Sequence, residues 1–314
     1  MKELLYKYGL GAFFSAILLS ATVTPAKANQ AYELKFDPVP QKLAQYARNS
    51  ATTFLNQGLQ YVQSGRPQDA ISAFNQAIEL DPSLAPAYYN LGLALRQVGQ
   101  LQQSADAFYR ATQVDPKFAL AYANLGGALL EGNNFPQAEN YLERAIELDS
   151  KLGVAHYNIG LLHQQKENCG KAVRSFRKAV KYSNKAPEPA YQIGLCYMQQ
   201  RKFKRAKNAF NDAVKINPKY PEAHYNIGSI LYNQGKHKQA LEAFRKAAEA
   251  NPDYPSAYYG AGLAFLQMRE YPDAMLVLQH ARNLFLAQNN SQWARNAEQL
   301  MQQAQNFTGS TPAQ

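Results

Sequence analysis

Seven glycines, Gly58, Gly92, Gly126, Gly160, Gly194, Gly228 and Gly262, follow one another at intervals of 34 residues. A spacing kept over that distance excludes one core built from unlike elements and requires a single structural unit copied along the chain. On the same ruler lie a small-residue column, Ala70, Ser104, Ala138, Ala172, Ala206, Ala240 and Ala274, and a second one, Ala77, Ala111, Ala145, Ala179, Ala213, Ala247 and Ala281. Between them runs a bulky column of Phe74, Phe108, Leu142, Phe176, Phe210, Phe244 and Leu278, and Pro82, Pro116, Pro218 and Pro252 close four of the units.

Ala70, Phe74 and Ala77 fall at i, i+4 and i+7, one face of a helix, and Phe54, Gly58 and Tyr61 make the matching face of the segment before it. Each unit is therefore expected to be a pair of helices. Facing Gly and Ala residues should let the two axes approach closely, with the Phe or Leu filling the space toward the next helix. Pro86, Pro187, Pro221 and Pro255 mark starts of first helices, and Pro67, Pro136 and Pro272 starts of second ones, where a missing N–H costs nothing.

These columns resemble the aromatic, Leu-Gly, Tyr, Ala, Phe, Ala, Pro pattern of the tetratricopeptide repeat. The resemblance implies an all-α fold, an α-solenoid in which helix-turn-helix units form a right-handed superhelix. It covers seven windows over 51–288, namely 51–84, 85–118, 119–152, 153–186, 187–220, 221–254 and 255–288. Ser150, Asn184 and Leu286 replace the closing proline, Ala190 replaces the large residue that opens the fifth unit, and His163 replaces a Tyr-like one. Residues 29–50 form a partly helical extension, with Leu43, Tyr46 and Ala47 as its expected buried stripe. Trp293, Ala297, Leu300, Met301 and Ala304 share one face of an expected C-terminal capping helix over 289–305, and the small polar tail 306–314 reads as disordered.

Compartment is legible at the N-terminus. Lys2 and Lys7 precede an apolar stretch from Tyr8 to Val23, and Ala26-Lys27-Ala28 offers the small-x-small pattern of a signal-peptide cleavage site. Residues 1–28 are thus expected to direct export, to a bacterial periplasm or equivalent lumen. The alternatives are an extracellular protein, or one anchored by an uncleaved signal, although the apolar run is short for a bilayer span. Two cysteines are too few for a disulfide framework or a Cys-based zinc site.

No Gly-rich phosphate loop, paired-histidine metal motif or nucleophile elbow occurs, so neither an enzyme nor a cofactor or metal is expected. His156 and His163 lie seven apart, but in inward columns, where a core role outweighs ligation; the same holds for His224. The resemblance implies that first helices line a concave groove. Its rows would be Asn56, Asn90, Asn124, Asn158 and Asn226 beside Tyr89, Tyr157, Tyr191, Tyr225 and Tyr259, with Arg96 and Glu131 the only charges. An amide both donates and accepts, so an Asn ladder suits an extended peptide backbone; the opposing reading has Asn pairing neighbouring helices and Tyr packing between units. A protein or peptide ligand, neutral or mixed in charge, is the expected partner.

The net charge of +10 is concentrated: residues 164–246 hold 18 Lys and Arg against 5 Asp and Glu. Lys171, Arg174, Lys178 and Lys181 recur along a second helix, and Arg201, Lys202, Lys204 and Arg205 crowd the next turn. On the outward side they could meet anionic lipid or an acidic protein, or simply solvate the face. Nucleic acid is disfavoured, since no recognition motif accompanies the charge. Cys169 and Cys196, on neighbouring helices, are either two reduced buried thiols or a disulfide across the unit boundary. The functional expectation is a non-enzymatic scaffold gripping a partner in the groove, for assembly of an envelope or membrane-associated complex. The alternative is a lipid- or polyanion-associated envelope factor acting through the basic edge.

Overall fold

The computed structural model describes residues 41–183 and 185–309. The expected export segment at 1–28, the first part of the 29–50 extension and residues 310–314 of the tail lie outside the described residues. Those described form fifteen α-helices and no strand. The first eight are α1 Gln41–Gln63, α2 Pro67–Leu80, α3 Ala85–Gln97, α4 Leu101–Val114, α5 Ala119–Glu131, α6 Phe135–Leu148, α7 Gly153–Gln165 and α8 Cys169–Tyr182. The rest are α9 Glu188–Gln199, α10 Phe203–Ile216, α11 Pro221–Asn233, α12 His237–Ala250, α13 Pro255–Met268, α14 Tyr271–Ala287 and α15 Ser291–Gly309. The described residues from Gln45 onward make one compact unit, an all-α solenoid in which the helices from α2 to α15 each pack on their neighbours in sequence.

Three kinds of punctuation cut the chain into helices. Proline stands at the first or second position of α2, α3, α6, α9, α11, α13 and α14, where its absent N–H removes no helical bond. After the even-numbered helices, Asp81, Asp115, Asp149, Asn217 and Asn251 each accept, through Oδ1, the backbone N–H two residues on, at 2.9 to 3.0 Å. These Asx turns stop the second helix. After the odd-numbered helices, the residue at position 65, 99, 133, 167, 201, 235 or 269 takes a left-handed conformation, φ 54° to 78°. Only three of the seven, Gly65, Gly99 and Gly235, are glycine; Asn133, Glu167, Arg201 and Arg269 hold the conformation with a side chain.

Both alanine columns and the Phe/Leu column are almost wholly withdrawn from solvent, and the Ser104 hydroxyl that interrupts the first donates to the Gly92 carbonyl at 2.7 Å. The expected apposition of the glycine and first small-residue columns is seen at Gly92 with Ser104 and at Gly126 with Ala138, and the bulky column joins it. A Cβ placed on Gly58, Gly92, Gly126, Gly160, Gly194, Gly228 or Gly262 would meet, at 2.3 to 2.7 Å, the Phe or Leu sixteen residues later. Those side chains therefore fill the notch of their own unit as well as the space toward the next first helix, where Phe244 would meet a Cβ on Gly260 at 2.6 Å, and each hairpin is locked knob into notch.

Two expectations at the ends are corrected. α1 does run back to Gln41, but Leu43 and Tyr46 are 61% and 77% exposed and Ala47 only half-buried, so the proposed stripe is not buried. At the other end α15 continues through Asn306 to Gly309 instead of stopping at 305. There the Phe307 ring stacks on Tyr271 with centroids 5.3 Å apart, which gives the last turn something to pack on. Ala294, Ala297 and Ala304 of α15 are buried, while Trp293 stays half-exposed and lies against Tyr259 and Phe285.

Candidate functional site

Successive odd-numbered helices touch one another, α5 on α7 and α11 on α13, and side-chain bonds staple them. Asn124 on α5 donates through Nδ2 to Tyr89 Oη on α3 at 3.2 Å and to its own Leu120 carbonyl at 3.0 Å. Asn226 on α11 repeats the device with Tyr191 on α9, at 3.3 Å, and the Glu222 carbonyl, at 2.8 Å. In α5 the tyrosine column holds Ala123, so Asn158 reaches past it to the Ala123 carbonyl at 2.9 Å. Gly127 makes the room, since a Cβ there would lie 2.8 Å from Asn158 Nδ2.

The asparagine row thus divides. Asn124 and Asn158 are buried and Asn226 half-buried, with their amide donors committed within the stack; Asn90 bonds its own Pro86 carbonyl at 2.8 Å, and Asn56 is exposed. The tyrosines pack as well as face outward. Tyr89, Tyr157, Tyr191 and Tyr225 lie 5.5 to 5.8 Å, centroid to centroid, from Phe108, Phe176, Phe210 and Phe244, and Tyr259 contacts Phe285 and Trp293. Burial holds the Tyr89, Tyr157, Tyr191 and Tyr259 hydroxyls above the ordinary tyrosine value, against the opposing hydrogen bonds of Asn124 and Asn226 to Tyr89 and Tyr191.

Arg96 is not an unpaired ligand hook. Its guanidinium meets both carboxylate oxygens of Glu131 from the next odd helix, Nε to Oε2 at 3.2 Å and Nη2 to Oε1. The two charges read from the sequence therefore neutralise each other across α3 and α5. Sequence reasoning missed a further row. Three positions after Asn56, Asn90 and Asn158 come Leu59, Leu93 and Leu161, and Leu195 and Leu263 continue the column after Gln192 and Gly260, with Gly127 and Ser229 interrupting it; each leucine is half-buried or exposed on an odd helix. Their 34-residue spacing was available to find them.

The eight predicted basic residues are all exposed. Lys171, Arg174, Lys178 and Lys181 lie on α8, and Arg201, Lys202, Lys204 and Arg205 on the turn into α10 and its first residues. Among the described residues none of the eight makes an ion pair; Lys202 Nζ instead donates to Gln200 Oε1 at 2.8 Å. Their field reaches His163, which is held below its ordinary value by burial first and then chiefly by Lys171. His156 and His224 are buried, and each donates Nε2–H to the carbonyl six residues before it, Ser150 at 2.9 Å and Pro218 at 2.8 Å. They tie the preceding turn to the helix. Among the described residues no three His, Cys, Asp or Glu side chains gather as a metal site would require.

Cys169 and Cys196 are buried free thiols on α8 and α9. Cys169 Sγ donates to Gln199 Oε1 at 2.9 Å. Burial first, then contact with Cys169, pushes the Cys196 thiol up to about 12.

Fold and faces together define a helical-repeat solenoid. The chain belongs to the tetratricopeptide repeat family: a profile described as Tetratricopeptide repeat matches residues 89–153, 191–255 and 231–290, more than half the chain. Further repeat profiles of the family match 58–99 and 154–185. Among solved structures, a chain of the APC/C hetero-tetramer Cut9-Hcn1 superposes with TM-score 0.62 at 18% identity, over 71% of this chain and 46% of that one. Yeast Tom70 gives 0.59 at 18% identity, over 86% and 57%, and Pseudomonas aeruginosa pilF 0.57 at 19%, over 68% and 96%. This chain spans about half the length of the first two, and such identities establish fold alone. No curated protein sequence matches it. The repeat fold is that of protein–protein interaction scaffolds, generally non-enzymatic, with protein or peptide partners.

Proposed function

We propose that the protein is an exported, seven-repeat scaffold that holds an extended peptide segment, or a partner protein offering one, along the inner face of its odd-numbered helices. There it would serve the assembly of an envelope or membrane-associated complex. The observation that carries this reading is the pairing of two rows on one face. Leucines at 59, 93, 161, 195 and 263 supply apolar contact, and the asparagine row beside them supplies amides. Because the Nδ2 donors of Asn124, Asn158 and Asn226 are used internally, Oδ1 is the atom they can turn to a ligand N–H. With Arg96 and Glu131 paired, the face is nearly neutral, which favours an uncharged or mixed segment over an acidic tail.

Asn56 and Leu93 are exposed, and the half-buried Asn90 bonds only the Pro86 carbonyl of its own helix, so their replacement breaks no side-chain bond between helices. Against an array of extended neutral peptides, the N56A/N90A/L93D variant should lose binding that the parent chain shows, with helicity unchanged. Equal binding by the variant would count against the groove. A second reading follows from the eight unpaired cations on α8 and at the start of α10: an anionic partner on the outer edge, where the even-numbered helices lie.

A further inference from the structure

The second reading can be taken further at one place, and the inference rests on it. In the outer channel between α8 and α10, floored by α9, lies a recess of about 490 Å³ lined by Val180, Ala190, Ile193, Tyr197 and Ala209, with Arg177, Arg205, Asn208 and Asp212 at its edge. Three periods earlier the channel between α2 and α4 over α3 has a counterpart of about 390 Å³. Position by position, Tyr88 there becomes Ala190, Asn75 becomes Arg177 and Gln103 becomes Arg205. At the fifth opening position truncation to Ala190 widens the floor and two guanidiniums stand at its edge, while Asp106 and Arg110 of the counterpart become Asn208 and Asp212.

Those guanidiniums are held in place, and among the described residues neither makes an ion pair. Arg177 Nη2 donates to Tyr197 Oη at 2.9 Å, and the Arg205 guanidinium lies over the same ring, 5.9 Å from its centroid. The acidic residue at the edge, Asp212, is engaged by Lys215 at 2.8 Å. An apolar floor under paired arginines, inside a segment with an excess of 13 positive charges, fits a ligand that is apolar in the middle and acidic on its flanks. A lipid headgroup or free phosphate would satisfy the arginines and leave the floor empty.

We propose that the recess above Ala190 is a docking site for an acidic peptide segment of a partner protein, with one aromatic or large aliphatic side chain seated on Ala190 and Ile193 and its flanking carboxylates on Arg177 and Arg205. The bidentate geometry of arginine matches a carboxylate, and the floor gives the specificity that charge alone does not.

The test uses the full chain and a fluorescent peptide, acetyl-Glu-Glu-Phe-Glu-Glu-amide, followed by anisotropy at low salt. Ala190→Tyr restores the residue that the counterpart channel carries at Tyr88 and leaves every charge in place; a thermal melt checks that it folds as the parent does. It should weaken binding by at least about tenfold, as should replacing the peptide's Phe by Ala. Arg177→Gln with Arg205→Gln should do the same without filling the recess, and serves if A190Y misfolds. K171E/R174E/K178E, which spares the recess, separates the two levels. Binding that responds to this variant but not to A190Y, R177Q/R205Q or loss of the peptide's Phe overturns the recess and keeps the basic edge. Binding to phosphatidylglycerol vesicles that A190Y leaves unchanged, with no peptide binding, likewise assigns the edge to lipid and overturns the proposal. Indifference to all the variants removes both.

Discussion

The stretch α2–α4 and the stretch α8–α10 are one design written twice, 102 residues apart, and they agree most closely around the glycine notch. Phe108 fills the notch of Gly92 as Phe210 fills that of Gly194, and in both stretches the flanking small residues are fully buried. Away from the notch many correspondences are broken: the exposed Asn75 against Arg177 and Gly99 against Arg201, and the half-buried Tyr88 against the buried Ala190. Packing density penalises change in the interior columns, whereas a solvent-facing column is free to be spent on recognition.

The sharpest way to break that comparison is to insert a methyl into both notches. Gly194→Ala would put Cβ 2.3 Å from the Phe210 ring and Gly92→Ala 2.7 Å from Phe108. Each should lose about 1–3 kcal/mol by overpacking, with Gly194→Ala the worse, as measured by urea unfolding. An equal and negligible cost would mean the rings move aside freely. Smaller, and of opposite sign, is the turn. Arg201 is left-handed at φ 56° where Gly99 is at 78°, so Arg201→Gly should raise stability by about 1 kcal/mol and Gly99→Arg lower it by a similar amount.

Comparable in size is the staple. Asn158→Leu removes the bond to the Ala123 carbonyl and should cost about 1 kcal/mol, whereas Asn56→Ala on the exposed end of the row should cost nothing measurable in the same unfolding experiment. One effect shows only in alkali and is confined to α8–α10. The Cys196 thiol is raised from 9.0 to about 12 in the folded chain, so its contribution is complete below pH 9 and is lost as pH rises toward 12. Melting temperature should therefore fall less steeply between those values in Cys196→Ala than in the parent. Export would let a disulfide form between Cys169 and Cys196; a mass lower by two hydrogens, restored by reductant, would show it.

The period, the helix pairs and the buried columns could be read from residue order because they are local: i, i+4 and i+7 on one helix, copied every 34 residues. What escaped depends on a neighbour one repeat and one residue away. Asn124 looks like a free amide until Tyr89, 35 residues back, takes its hydrogen, and Arg96 looks like a hook until Glu131, 35 residues on, takes its charge. Leu43 and Tyr46 repeat the apolar spacing of a buried stripe yet are exposed, since spacing alone names a face and says nothing of what covers it. The left-handed turns were hidden for a different reason: Glu167, Arg201 and Arg269 carry none of the glycine signal that marks Gly65, Gly99 and Gly235.

Those unmarked turns have a mechanical consequence. Glu167 and Arg201 are consecutive on the 34-residue ruler, and each holds a conformation that opposes its own side chain. In a quasi-linear array, where every unit leans only on the next, two strained joints in succession make a seam. Amide hydrogen exchange should then show α7 to α10 breathing before α11 and α12, whose joint is Gly235, so that fraying starts in the interior as readily as at the ends.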